Sequence, residues 1–276
     1  MKKIFILGYT GMLGRYIYSY FKNNSSYDII GINRNDLDFS KVSQETLRAF
    51  LFHRGLKEND VIINCIGMIK QRTDQKSLDF ILINSVLPQY LSNICEAEKC
   101  YLIHPTTDCC FSGVTGYYTE NDKHDVSDIY GVTKSLGETS NDTVIRTSII
   151  GEEVGQSRSF IEWVKSSKDK EVFGFTNNTW NGVTCLQFAK ICLQIVDKNM
   201  FWKGVRHVYS PTAYRKGDLV QLISDIYELN VKITPKEMSE NCFRTLSSIY
   251  EIVNEFNIPE LEVQIREQKE FYEFLK

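Results

Sequence analysis

The run Lys3-Ile-Phe-Ile-Leu7 passes straight into Gly8-Tyr-Thr-Gly11-Met-Leu-Gly14, where a helical pattern begins at Met12. Few folds accept a short apolar strand, three glycines at three-residue spacing and a helix in immediate succession. Glycines free the backbone to turn sharply and to pack closely, so the strand can be buried on both faces with the helix laid against it. The alternation continues down the chain. Asp28–Asn33, Val61–Ile66, Cys100–Pro105, Asn141–Ile145 and Gly204–Tyr209 read as further strands. Met12–Phe21, Gln44–His53, Leu78–Glu98 and Ile129–Thr139 read as helices between them. Repeated strand–helix alternation predicts an α/β protein with a Rossmann-type, doubly wound parallel sheet and right-handed crossovers. After Gly151 the pattern changes: Phe160–Ser167, Cys185–Asp197, Lys216–Tyr227 and Leu246–Glu255 read as helices among short, scattered strands. The predicted organisation is a sheet domain over 1–150 and a smaller C-terminal α/β lobe over 151–276. Part of the chain around 184–210 is free to rejoin the sheet, and a ligand cleft is expected between domain and lobe.

Composition narrows the partners. A net charge of −3 argues against nucleic acid or an anionic membrane as the main partner. Four apolar residues before Gly8 fall far short of a signal-peptide core or a spanning helix, so a soluble cytoplasmic protein is expected. The cysteines, at 65, 95, 100, 109, 110, 185, 192 and 242, form no C-x-x-C, and His53, His124 and His207 have no metal-ligand spacing. No metal is expected, and most cysteines read as small buried apolar residues.

The glycine run suits a dinucleotide. Gly8 allows the tight turn, Gly11 lets the backbone approach a pyrophosphate, and Gly14 lets helix and strand pack closely. Thr10, Met12 and Leu13 complete the loop and the first turn, whose unpaired N–H groups point at the phosphates. Arg34 ends the second strand, where an acidic residue would bind the ribose of NAD. An arginine suits the 2′-phosphate of NADP, so NADPH is expected, with NADH as the alternative. The plainer reading of Arg34 is a surface residue in a turn. Asp38 and Phe39 are placed around the adenine, and Cys65, Ile66 and Gly67 where the cofactor crosses the third strand.

Tyr130 and Lys134, four residues apart, lie on one face of a predicted helix. A lysine there can lower the phenol's pKa and hold a cofactor ribose hydroxyl. Thr107, at the end of the fourth strand, can hydrogen-bond a substrate carbonyl while Tyr130 protonates the developing alkoxide. Thr107, Tyr130 and Lys134 are therefore the candidate catalytic residues. His104 lies inside an apolar strand and reads as a hydrogen-bonded core residue.

With these residues the chain resembles the extended short-chain dehydrogenase/reductases. The motifs are Gly8/Gly11/Gly14, Thr106-Thr-Asp-x-x-Phe-x-Gly113, Tyr117-Tyr-Thr-Glu120-Asn-Asp122, Tyr130-Gly-x-x-Lys134-x-x-Gly-Glu138 and Arg146-Thr-Ser148. Within that family it is most similar to the dTDP-4-dehydrorhamnose reductase group of sugar-nucleotide reductases. The resemblance implies reduction of a 4-keto group on a nucleotide-linked deoxysugar, as in bacterial surface-polysaccharide biosynthesis. It places the family's serine or threonine on Thr107, its tyrosine on Tyr130 and its lysine on Lys134. Homodimers through exposed helices are common in the fold. Ile149 replaces the group's usual aromatic residue after Arg-Thr-Ser, so the sugar need not be rhamnose. Cys109 stands where the dehydratases carry glutamate, which argues against dehydration. Cys109 also has the offset of the cysteine in GDP-fucose synthases, but Glu152-Glu153 follow where epimerases place histidine.

Lys70, Asp108, Cys109, Arg146, Ser148, Phe175, Asn178 and Trp180 are the candidate substrate-binding residues. Arg146, Arg158 and Lys216 are candidate partners for a diphosphate, with surface charge as the plainer reading and the favoured one for Lys216. In Gly174–Thr184, Phe175 or Trp180 can stack, and Asn177, Asn178 and Asn181 can bind hydroxyls; a plain polar loop around a buried tryptophan is the alternative. Two other functions stay open: an epimerase or epimerase-reductase using Cys109, and a non-catalytic NADP-binding regulatory subunit.

Overall fold

The computed structural model describes residues 1–69, 77–155 and 159–275. Lys70 and Arg158 lie outside the described residues. The chain forms two compact units, one of Met1–Cys110, Val126–Arg146 and Ala189–Arg206, the other of Phe111–Asp125, Thr147–Phe188 and His207–Lys276.

The first unit is a Rossmann-type α/β layer. In chain order it contains β1 (Lys3–Leu7), α1 (Met12–Asn24), β2 (Asp28–Ile32), α2 (Gln44–His53), β3 (Val61–Asn64), α3 (Ser77–Ile81), α4 (Leu87–Glu98), β4 (Tyr101–Thr107), α5 (Ile129–Leu136) and β5 (Thr143–Thr147). The strand Gly204–His207 completes a six-stranded sheet, in which it is followed by β5, β4, β3, β1 and β2. The pairings of β1 with β2 and β3, and of β3 with β4, are parallel, with Leu7 opposite Ile32 and Asn64. Phe5, Leu7, Ile32, Ile62 and Leu102 are buried together with Leu47, Leu51, Leu87 and Leu91 from the helices. This is why β1, β3 and β4 read as apolar runs rather than alternating patterns.

The helix expected over Leu78–Glu98 is interrupted. α3 ends at Ile81, a π-turn covers Leu82–Val86, and α4 resumes with Pro88 in its first turn. Proline has no N–H for the carbonyl four residues earlier, which here is Asn84's. Gly137, just past α5, packs against that released carbonyl: a Cβ on Gly137 would lie 2.0 Å from Asn84 O.

In the second unit, Glu171–Phe175 pairs in parallel with Lys232–Lys236, and Ile149–Ile150 with Val183–Thr184. Asn178–Trp180 lies between Tyr214–Arg215 and Cys242–Phe243. Ile150, Ile161, Val164, Trp180, Leu219, Ile223, Leu261 and Ile265 belong to its core. The predicted helix over Leu246–Glu255 is reduced to Ile252–Glu255. The residues before it are held as extended chain instead: Leu246 bridges to Tyr118, Ser247 N donates to Tyr118 O (2.7 Å), and Ser248 Oγ donates to Glu120. The helix Leu261–Glu273 went unpredicted. Its stripe of Leu261, Ile265 and Tyr272 is diluted by Gln264 and Gln268, which are buried because they bind backbone N–H groups of Thr184 and Leu186 at 3.1 Å each. Among the described residues, no helix is long and apolar enough to cross a membrane.

Candidate active site

Three strand ends deliver their loops to one cavity. Gly8, Thr10 and Gly11 follow β1; Asn33, Arg34, Asp38, Phe39 and Ser40 follow β2; Cys65, Ile66, Gly67 and Met68 follow β3; Ile83 comes from the π-turn. The cavity is about 270 Å³ in volume and lies at the C-terminal edge of the sheet, where open α/β sheets keep ligands. Gly8 has φ +77°, and a Cβ there would press on Cys65 O at 3.2 Å and Ile66 Cγ1 at 3.1 Å. Gly11 donates its N–H to Gly8 O (2.9 Å) and begins α1 without a side-chain cap. The first-turn N–H groups thus have no competing side chain, as a phosphate site requires. A Cβ on Gly14 would lie 2.2 Å from Gly8 O, so Gly14 is where helix and loop touch. Met12, Leu13 and Gly14 form the first turn of α1 and are not in the cavity wall. These features fit a dinucleotide. Asn33, Ser40, Met68 and Ile83 were missed as wall residues, although three of them directly adjoin nominated ones.

α5 carries Tyr130 and Lys134. Asp128 caps the helix by accepting from Tyr130 N and Gly131 N at 3.1 Å each, which fixes the first turn. A Cβ on Gly131 would lie 2.3 Å from Cys109 O, so the helix rests directly on the segment after β4. Tyr130 packs against the same apolar cluster as Ile66, Met68 and Ile83 of the cavity wall. Burial pushes its phenol up, with Cys109, Asp108 and Asp128 adding to the rise, while a hydrogen bond with Thr107 pulls it down. Thr107 is buried; its hydroxyl donates to Asp108 Oδ1 (3.2 Å) and accepts from Cys109 N (3.1 Å). Thr107 and Tyr130 are therefore brought together as expected.

Lys134 is engaged differently from the expectation. Its Nζ donates to Pro105 O (3.0 Å), and the groups that move the Tyr130 phenol are those just named. Burial lowers Lys134 to about 8, with Glu138 opposing. Between pH 8 and the ordinary 10.5, the unfolded chain holds a proton that the folded chain has released. The contribution of Lys134 to folding stability should therefore rise with pH across that window, against the opposite slope of the buried thiols of Cys65, Cys95, Cys100, Cys110 and Cys192, which keep protons that the unfolded chain releases. Urea melts of the parent and of Lys134→Met at intervals through it should show the parent gaining stability relative to the variant as pH rises; parallel curves assign the effect to other groups.

Asn84 joins the two halves of the site. Its Oδ1 accepts from Met68 N (2.8 Å), and its Nδ2 donates to Met68 O and to Thr133 Oγ1, both at 3.2 Å. Ser85 Oγ donates to Thr133 O (2.7 Å). The π-turn thus ties a cavity-wall residue to the helix of Tyr130. Pro88, four residues after Asn84, was the signal for it. His104 is a core residue: its Nδ1 faces Asn64 Nδ2 at 3.3 Å, and burial, then Lys134, holds the ring well below its ordinary pKa and neutral.

Several substrate candidates have structural employment. Arg146 is 2% exposed; its Nε donates to Glu138 Oε1 (3.0 Å) and its Nη2 to Glu138 Oε2 (2.6 Å). That forked pair takes up the guanidinium that was nominated for a diphosphate. Trp180 is 4% exposed, and Lys216 Nζ lies 5.3 Å from its ring and 4.6 Å from that of Phe160. Asn181 is buried and exchanges two 2.8 Å bonds with the Leu246 backbone. Asn177 does the same with Met238 (2.9 and 2.8 Å), and Asn178 Nδ2 reaches Met238 Sδ at 3.6 Å. The reason is tertiary: Gly174–Thr184 folds into short strands, and the amides of Asn177 and Asn181 satisfy backbone groups far along the chain. Phe175 and Ser148 are half-buried, and Ser148 O accepts from Val183 N (2.9 Å). All eight cysteines are free, with Cys95, Cys110, Cys185 and Cys192 buried.

Comparison with known proteins agrees with this geometry. The chain is 25% identical over 219 residues to a dTDP-4-dehydrorhamnose reductase of Aggregatibacter actinomycetemcomitans, covering 75% of this chain and 71% of that protein. It is 23% identical over 250 residues to methionine adenosyltransferase 2 subunit beta of Xenopus laevis, covering 83% and 73% respectively. The crystal structure of dTDP-4-dehydrorhamnose reductase from Bacillus anthracis str. Ames in complex with NADP superposes with a TM-score of 0.79 at 16% identity, covering 99% of each chain, a likeness of fold. Residues 1–244 match the family described as the RmlD substrate binding domain, and the chain belongs to that family.

Proposed function

We propose that the protein is an NAD(P)H-dependent reductase of a 4-keto group on a nucleotide-linked deoxysugar, serving bacterial surface-polysaccharide synthesis. The observation that carries this reading is Tyr130, hydrogen-bonded to Thr107 and one helical turn from Lys134, on a helix tied through Asn84 to the wall of a dinucleotide-shaped cavity. When bound, the nicotinamide supplies hydride. Thr107 orients the carbonyl, and Tyr130 donates its proton to the developing alkoxide. Burial keeps that phenol protonated until the oxygen becomes basic. The Thr107 hydrogen bond stabilises the phenolate left behind. Gly8, Gly11 and the start of α1 would hold the pyrophosphate; Asp38 and Phe39 would flank the adenine.

The direct test is to mix the protein with NADPH and nucleotide-linked 4-keto deoxysugars, following loss of NADPH and the C4 alcohol by NMR. Product containing that alcohol is expected; no turnover with any base would sink the reading. Turnover in deuterium oxide should leave C3 and C5 unlabelled, because reduction alone forms no enolate at those carbons. Label at either would favour epimerisation through Cys109. A second reading, a binding-only regulatory subunit, draws on the likeness to methionine adenosyltransferase 2 subunit beta. It predicts cofactor binding without turnover.

Arg34 lines the cavity beside Asp38, so we expect NADPH to bind more tightly than NADH. A charge-assisted contact contributes about 1.5–3 kcal/mol, so Arg34→Ala should lose roughly tenfold to hundredfold in NADPH affinity and little for NADH. Equal dissociation constants for both cofactors in the parent protein would defeat the assignment.

A further inference from the structure

A buried polar pair adjoins the wall of the dinucleotide cavity. Asn64, the last residue of β3, is fully buried, and His104 on the neighbouring β4 is 1% exposed. Asn64 Oδ1 accepts from Ile66 N at 3.2 Å, an Asx-turn that bends the chain out of the strand and into the Cys65–Gly67 part of the wall. The glycine loop rests on that bend: a Cβ on Gly8 would meet Ile66 Cγ1 at 3.1 Å and Cys65 O at 3.2 Å.

The bond to Ile66 fixes the roles of the other atoms. A backbone N–H only donates, so the amide oxygen of Asn64 faces Ile66 and its amide nitrogen faces His104. That nitrogen only donates as well. Nδ1 of His104, 3.3 Å away, must therefore accept, and the proton of the neutral ring sits on Nε2. Among the described residues Nε2 has no hydrogen-bond partner. A leucine would fill this space at less cost, because a buried donor without an acceptor is destabilising. What the histidine adds is the acceptor for Asn64.

We propose that His104 is a positioning residue for the cofactor: through Asn64 it holds the Ile66 N–H and so fixes the wall that the cofactor crosses. The inference rests on the dinucleotide reading of the cavity. His104 is not itself in the wall and acts only through the amide. Without the acceptor the amide is free to turn, Ile66 N loses its partner, and Cys65–Gly67 can leave the arrangement that binds. If one molecule in about ten keeps that arrangement, affinity falls about tenfold.

Equilibrium dialysis with NADPH tests this on variants chosen by the ring nitrogen they imitate. Asparagine can place its amide oxygen near Nδ1, whereas glutamine reaches Nε2. His104→Asn should bind NADPH within about twofold of the parent, and His104→Gln and His104→Leu roughly tenfold more weakly. Adding Asn64→Leu to His104→Leu should weaken NADPH no further, because the two residues act in series. A residue that only filled the core would lose stability in urea melts and leave NADPH affinity unchanged. Nitrogen-15 NMR of the histidine-labelled parent should show Nδ1 bare and Nε2 protonated, and it decides the matter if His104→Gln and His104→Leu do not fold. Unchanged NADPH affinity in those two variants, or a proton on Nδ1, would overturn the inference and leave the assignment of the cavity intact. A parent that binds no NADPH removes that assignment, and this inference with it.

Discussion

Tyr130→Phe is expected to fold and to bind NADPH like the parent, with turnover reduced by roughly 10²–10⁴, the usual contribution of a positioned proton donor. The phenol ring packs against the cluster that includes Ile66, Met68 and Ile83, and phenylalanine keeps that packing. What it removes is the hydroxyl bonded to Thr107. The loss should therefore fall on kcat rather than on cofactor affinity or melting temperature. A variant that turns over at the parent rate would take Tyr130 out of the mechanism. A variant that has lost NADPH binding as well would make the residue structural.

The second large effect is on stability. Arg146 and Glu138 are 2% and 7% exposed as side chains and share a forked ion pair. Arg146→Met keeps most of the volume but takes the forked cation away from the buried Glu138 carboxylate. Breaking such a pair costs about 3–5 kcal/mol. The double variant Arg146→Met/Glu138→Leu removes the buried carboxylate as well and should recover most of that loss, since a buried ion pair replaced by apolar residues is often near neutral. Denaturant melts of the parent, both single variants and the double variant supply the cycle. A loss below about 0.5 kcal/mol for Arg146→Met, the level of an ordinary surface change, would show that the pair does not hold the fold.

The sheet was legible because its signals are short-range. β1, β3 and the start of β4 are short apolar runs, and the glycines around Gly8 must satisfy a turn and a close packing within seven residues. The helix Gln44–His53 announces itself through its Ser43 cap, whose side chain accepts from Thr46 N, and through Leu47 and Leu51 one turn apart. Tyr130 and Lys134 were equally local, since a helix places positions four apart on one face.

The second unit was harder to read because its elements depend on partners distant in sequence. Leu246–Ser248 opens a stretch whose pattern reads as a helix, yet it is extended because Tyr118 and Glu120 offer it backbone and carboxylate partners. Gln264 and Gln268 dilute the apolar stripe of the last helix, and only the unpaired N–H groups of Thr184 and Leu186 explain their burial.

By itself the sequence determined the glycine turn, the strand–helix alternation and the Tyr130–Lys134 pair, because each is written in residues fewer than a dozen apart and governed by backbone sterics and helical periodicity. Tertiary structure alone decided which polar groups are free for chemistry. Arg146, Asn177 and Asn181 look like ligand-binding residues in one dimension but are bonded by Glu138, Met238 and Leu246 in three. Asn84 looks like an ordinary helical residue and instead joins the cavity wall to the helix of Tyr130. The physical reason is that a buried polar group must find a partner, and the partner's identity depends on how distant segments pack.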